Sequence, residues 1–199
     1  MSIPNEINET IRLLFPKNVD YEDYITSDVY KKLVEKKKIF LSDNGYKRID
    51  FKKSIQKLFN NYAVVDWTDP IDSNCFEFRV LMHRNQTILD DDIELIRLLG
   101  WKRLDLRIFI SILNPYYYYF FEESDFNTIT NEWSFSIHTV LEQELQNISN
   151  SFENFMDFKG YQGLSSEIVN KVVDDVETKF LEKGKVKVFH CLFTDLVTI

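Results

Sequence analysis

The 199-residue sequence predicts an α+β fold: a single mostly antiparallel sheet of about five or six strands, packed with N-terminal and C-terminal helices. Three observations predict it. Apolar residues recur at helical spacing up to residue 60, alternate at strand spacing over 61–137, and return to helical spacing from 138. Only 5 Gly and 4 Pro interrupt these runs, which leaves little room for long loops. A 44% apolar composition with 17 Phe, 10 Tyr and 3 Trp supplies enough buried surface for one core without staples. No linker divides the chain. It reads as one domain, 1–199, in which residues 1–60 are helical, residues 61–137 are sheet-rich, and residues 138–199 form a helical hairpin plus a last strand.

The N-terminal region opens with "IPNEINETIRLLF". Pro4 and Asn5 start a helix, Ile7, Ile11 and Leu14 share its apolar face, and Pro16 ends it. In "TSDVYKKLVEKKKIFL", Thr26 or Ser27 caps a second helix with Val29 and Leu33 on its stripe. The run Lys36–Lys38 then suits a helix C-terminus, where cations oppose the dipole. "DFKKSIQKLFNNY" repeats apolar residues at Phe51, Ile55, Leu58 and Phe59, again a helical spacing.

Strands follow. "YAVVDW" and "NCFEFRVLMHR" flank a turn-rich "TDPIDSN", where Asp66, Asp69 and Asp72 are placed to bond the backbone. Phe76, Phe78, Val80 and Met82 share one face by alternation. "LDDDIELIRLLG" predicts a short helix, with Asp90 or Asp91 as cap and Gly100 as stop. In "RLDLRIFISIL" the aliphatic set from Leu104 to Ile112 alternates with Arg103, Asp105 and Arg107. "YYYYFFEE" and "EWSFSI" complete the sheet. The C-terminal region predicts a long helix on Val140, Leu141, Leu145, Ile148, Phe152 and Phe155, broken at "GYQGL". A second helix over 165–184 carries Ile168, Val172, Val176 and Phe180 at steps of four, and "KVKVFHCLF" reads as a closing strand.

The tyrosine run poses the functional question. On a strand, Tyr116, Tyr118 and Phe120 face one side and Tyr117, Tyr119 and Phe121 the other, so the strand is expected to be central and covered on both sides. If it pairs with its predecessor across Asn114-Pro115, one set joins the core and the other lies beside Arg107 and Asp105. Charge is unevenly placed along a chain of net charge −8. Residues 1–60 carry 12 basic against 9 acidic side chains, whereas residues 114–182 carry 3 against 13. An acidic surface of that kind repels phosphate and speeds association with basic partners. Stacking tyrosines that served nucleic acid would come with a basic groove, and here Glu122, Glu123 and Asp125 follow instead. Nucleic acid is therefore not expected as a ligand.

Sites for chemistry are hard to find. Neither a Gly-rich phosphate loop nor a GxSxG elbow can be written. His83, His138 and His190 lack zinc-ligand spacing, and the consecutive acids of "DDD" at Asp90–Asp92 cannot converge on one ion. No catalytic residue, metal or cofactor is assigned. Cys75 and Cys191 sit among bulky apolar residues and read as buried free thiols of a reducing compartment. With no apolar run long enough to span a bilayer and no secretory h-region, the chain reads as cytoplasmic, without a membrane partner. Its Lys-, Asn- and Ile-rich wording suggests an AT-rich bacterial genome.

The reading that results is a non-enzymatic, acidic protein-binding module for a basic protein partner. In size, acidity and lack of a catalytic motif the chain is similar to small bacterial immunity proteins that neutralise contact-delivered toxins, a likeness of type that rests on no diagnostic motif. By that likeness the partner is a toxin domain and the chain an antitoxin-type inhibitor. Its contact residues are Glu122, Glu123, Asp125, Glu132, Glu142 and Glu144 as acids, with Tyr117, Tyr119 and Trp133 as aromatic anchors. Two alternatives stand beside it: an enzyme with a carboxylate or histidine pocket at the sheet edge, and a structural adaptor subunit. The oligomeric state is left open.

Overall fold

The computed structural model describes residues 2–42, 45–83, 93–139, 142–197 and 199, and shows the α+β fold. Four helices come first: α1 (Asn5–Leu14), α2 (Tyr21–Thr26), α3 (Asp28–Leu41) and α4 (Tyr46–Leu58). The strands β1 (Ala63–Asp66), β2 (Cys75–Leu81), β3 (Lys102–Ser111), β4 (Tyr116–Asn127) and β5 (Glu132–Ile137) pair antiparallel in that order. Helix α5 (Ile93–Leu98) lies between β2 and β3; its expected Asp90 or Asp91 cap and the run to Asp92 lie outside the described residues. Helix α6 (Gln143–Phe158) follows; the expected Val140 and Leu141 also lie outside the described residues. Strand β6 (Gln162–Gly163) then pairs parallel with the start of β4, and α7 (Ser166–Val169) and α8 (Val188–Leu192) close the chain.

The two faces of the sheet differ. One carries Phe76, Phe78, Leu106, Ile108 and Ile110 with Tyr117 and Tyr119, and packs against α4 and α6 through Phe51, Ile55 and Phe152. The other carries Glu77, Arg79, Arg103, Asp105 and Arg107, then Phe109 and Tyr118. Its Phe109 end is roofed by Phe189 and Phe193, from α8 and its C-cap. As alternation predicts, β4 is covered on both faces, and Phe120 stands opposite Arg107.

Three sequence expectations are corrected. The four residues of α7 replace the helix predicted over 165–184. Of its stripe, Val176 is buried but Val172 and Phe180 are exposed, so no single face is apolar. β-branched valines and the Asn170, Asp174 and Asp175 side chains all weaken a helix there. The closing "strand" is helix α8. Every residue from Val188 to Phe193 is buried, so alternation could not be distinguished from a helical period. Its first turn is fixed by Lys187 N–H, which donates to His190 Nδ1 at 2.9 Å. The domain thus ends in a helix rather than a strand, and only an isolated bridge, Val172 to Lys187, is sheet-like there. Finally, Lys36 and Lys37 do more than oppose a helix dipole: they donate to Leu113 O and Ile71 O and tie α3 to the loops at the sheet's end.

Candidate functional site

Two concavities lie on opposite sides of β4. The larger, about 860 Å³, opens on the charged face between Trp67, Phe135 and Leu196. Its floor is a closed ion network. Arg107 Nη2 donates to Glu77 Oε1 at 2.6 Å and its Nη1 to Glu122 Oε1 at 2.7 Å. Arg79, directly across the strands from Arg107, lies 3.7 Å from Glu77 and 3.9 Å from Glu122, and stacks 4.5 Å over the Trp67 ring. Burial disfavours the Arg107 cation, but Glu77 and Glu122 outweigh it and hold its pKa above the ordinary value. Interleaving two carboxylates with two facing guanidiniums removes a like-charge clash that cross-strand neighbours would otherwise feel. The rim acids are also engaged: Asp66 takes Arg48 Nε at 2.9 Å, and Asp69 Oδ1 accepts the Ile71 and Asp72 N–H groups of the predicted turn.

The smaller concavity is a groove of about 560 Å³ along the outer edge of β4. It exists because two short partners share that edge. Leu164 N–H bonds Tyr117 O at the β6 end, and His138 N–H bonds Phe121 O at the β5 end. Among the described residues, no strand lies beside Tyr119, midway between, on that side. Tyr117 and Tyr119 stack at 6.4 Å and 13° and pack edge-on against Phe152 of α6. The same helix presents Glu153 and Asp157, four residues apart and therefore on one face. Tyr119 OH donates to Glu153 Oε1 at 2.6 Å. Burial, then the Glu153 and Asp157 charges, push the Tyr117 hydroxyl up to about 12; burial and the Glu153 hydrogen bond raise Tyr119 as well. Both phenols therefore stay protonated donors at neutral pH. Among the described residues, no Lys or Arg lines this groove.

The nine expected contact residues are not one patch. Tyr117 and Tyr119 meet in the groove, although Tyr117 is buried and offers little beyond its hydroxyl end. Glu123 and Asp125 lie further along the same face of β4, both held by Lys102. Glu122 points to the opposite face, buried against Arg107, so it cannot meet a partner's surface in this conformation. Trp133 belongs to that opposite side, packed on Phe126 and Phe135. Glu132 is exposed at the far end of the β4–β5 pairing. Glu142 is exposed at the N-cap of α6, whereas Glu144 turns to the other side and accepts from Tyr62 OH. Residue-by-residue reading missed Glu153 and Asp157. Their signal was present: four residues apart, both fall on the polar stripe of the predicted helix.

Burial perturbs three of the groups that could do chemistry. His190 is buried, and burial with the nearby Lys187 charge lowers its pKa to about 4, so its imidazole is neutral at pH 7. Burial raises both thiols, Cys75 and Cys191. His138 stands 3.6 Å from Glu123, and no serine or cysteine among the described residues hydrogen-bonds to it. No cluster among the described residues has the ligand set for a metal ion. No helix among them is long and apolar enough to cross a membrane. No family model, no curated protein and no solved structure matches the chain.

Proposed function

We propose that this chain is a non-enzymatic protein-binding module of the cytoplasm that takes a basic protein partner on the groove at the β4 edge. The observation that carries the reading is that, among the described residues, the carboxylates of Glu153 and Asp157 line this groove without a Lys or Arg, beside stacked tyrosines and the imidazole of His138. Tyrosine supplies rigid contact area with a polar tip, a usual hot-spot composition, and fixed negative charge steers a basic partner. Glu142 at the start of α6 extends the acidic surface. The larger cleft supports the reading less, because its charges already neutralise one another. Two buried free cysteines agree with a reducing compartment. An immunity- or antitoxin-type role, blocking a toxin domain in a bacterial cell, is the form of this function that suits a small acidic chain.

The test is capture of a partner by the tagged chain at low and moderate salt, compared with Glu153→Lys/Asp157→Lys. A basic protein held stoichiometrically by the parent, and released by the double reversal, is the expected result. A partner that binds the reversed chain equally well, or none at either salt, overturns the reading.

A further inference from the structure

We infer that the outer edge of β5 is an interface between two copies of this chain, which pair β5 with β5 antiparallel about a two-fold axis at Phe135. This surface is separate from the β4-edge groove and does not depend on its partner. β5 pairs with β4 on one side, and among the described residues nothing pairs with its other side. Nor is the strand covered: apart from half-buried Trp133 its residues are exposed, Phe135 at 61% and Ile137 at 40%. The opposite edge of the sheet is treated differently. There β1 is 4 residues long, and Gln56 of α4 blocks it, accepting from Val64 N–H at 3.2 Å and donating to Tyr62 O at 3.0 Å. Sheet edges are ordinarily blunted by Lys, Pro, bulges or such covers. "EWSFSI" has none of these, and its one charge, Glu132, stands at the end.

The register follows from the ladder. His138 N–H bonds Phe121 O, so alternation turns the main chains of Glu132, Ser134 and Ser136 inward to β4 and those of Trp133, Phe135 and Ile137 outward. An antiparallel neighbour must set outward-facing residues opposite one another. A two-fold centred on Phe135 does so for all three: Trp133 meets Ile137 of the second copy, Phe135 meets Phe135, and Ile137 meets Trp133, each pair exchanging both N–H···O bonds. A centre on Ser134 instead sets Ile137 against Asn131 in the turn, and a centre on Ser136 sets Trp133 against Thr139, beyond the strand. Opposite residues point to the same face, so Trp133, Phe135 and Ile137 of both copies join into one apolar surface that extends the stack of Trp133 on Phe135. On the other face Glu132 meets His138 rather than a second carboxylate. The two Glu132 side chains are held about 20 Å apart, the length of the strand between those positions. Because β1 is blocked, the pairing closes at two copies instead of growing into a fibre.

The experiment is sedimentation velocity of the whole chain over a wide concentration range, with urea midpoints read in parallel. A reversible monomer–dimer equilibrium is expected, with a dissociation constant on the order of 10–100 μM, as suits a small interface. Phe135→Lys sets two ammonium groups opposite each other across the axis and should weaken the dimer about tenfold or more, with the urea midpoint little changed. Register is read by cross-linking. Phe135→Cys places the thiols of two copies on Cα atoms about 5.5 Å apart, within disulfide reach, and should give a covalent dimer on mild oxidation. Glu132→Cys, about 20 Å from its counterpart, should not. The native Cys75 and Cys191 are buried and do not compete. A monomer at every concentration, a dimer indifferent to Phe135→Lys, Glu132→Cys linking as readily as Phe135→Cys, or assemblies larger than two copies each overturn the pairing. Should Phe135→Lys lower the urea midpoint, the thiol variants decide. A basic partner captured by a chain that stays monomeric leaves the groove reading standing without the dimer.

Discussion

On one face of the sheet, the Glu122 carboxylate of β4 lies 2.7 Å from a buried guanidinium; around the strand's edge, Glu153 of α6 accepts from a tyrosine hydroxyl and from no cation among the described residues. Both are carboxylates beside aromatic rings. The first has its counter-charge built into the chain, through Arg107, and the second has none among the groups lining its groove. A carboxylate buried with its cation is part of the fold's stability. An exposed carboxylate without one costs the fold little and is free to meet a cation from outside. The volume of a concavity is therefore a poor guide here: the larger one is electrically closed and the smaller one open.

Breaking the closed network should have the largest effect. Arg107→Met leaves Glu77 and Glu122 buried without their central cation and should destabilise the fold by about 3–5 kcal/mol, read from urea unfolding. Adding Glu77→Gln and Glu122→Gln should recover most of that loss. Should Arg107→Met alone unfold at the parent's urea midpoint, the network is not closed and the contrast with the groove fails.

The roof over the same face offers a second test, by pH. His190 on α8 has a folded pKa of about 4 against an ordinary 6.5. Between those values the unfolded chain binds more protons, so stability rises with pH and is lost as pH falls from 6.5 towards 4. The loss should reach on the order of 3 kcal/mol. In His190→Gln this component of the pH dependence should vanish. An unchanged slope in that variant would place the titration elsewhere.

Changes at the groove should be smaller in stability and larger in binding. Tyr119→Phe removes one partly exposed hydrogen bond to Glu153 and should cost about 1 kcal/mol or less in unfolding free energy, while weakening the captured partner. Glu153→Lys changes an exposed residue and removes the same hydrogen bond, so its effect on stability should likewise stay at about 1 kcal/mol or less. Partner capture should nevertheless fall. A Glu153→Lys chain that unfolds several kcal/mol more easily would show that this acid, too, belongs to the fold.

Much of this architecture was legible in residue spacing. The stripe Leu145, Ile148 and Phe152 placed α6, and alternation through "RLDLRIFISIL" placed Arg107 beside the tyrosine strand. Asp66 and Asp69 bond the turn backbone as their composition suggested. Helix α2, over Tyr21–Thr26, went unread because its six residues are too short to show a period. The C-terminal segment 165–193 misled for two physical reasons. A stripe at steps of four can be drawn through valines that never form a helix. A run buried on every side carries no period at all.

Fold class, strand faces and the excess of acids over 114–182 follow from the order of residues alone, because alternation and helical spacing are local properties of the chain. Which acids are spent and which are free is settled by tertiary packing. Glu122 and Glu123 are neighbours in sequence, yet a strand sends them to opposite faces, one to Arg107 and the other to Lys102. Tyr119 and Glu153 meet across 34 residues of chain, with Asp157 one turn beyond, because α6 packs through Phe152 on the face of β4 that carries Tyr119. Whether a charge is paired depends on what packs against it, and packing brings together residues that no local pattern relates.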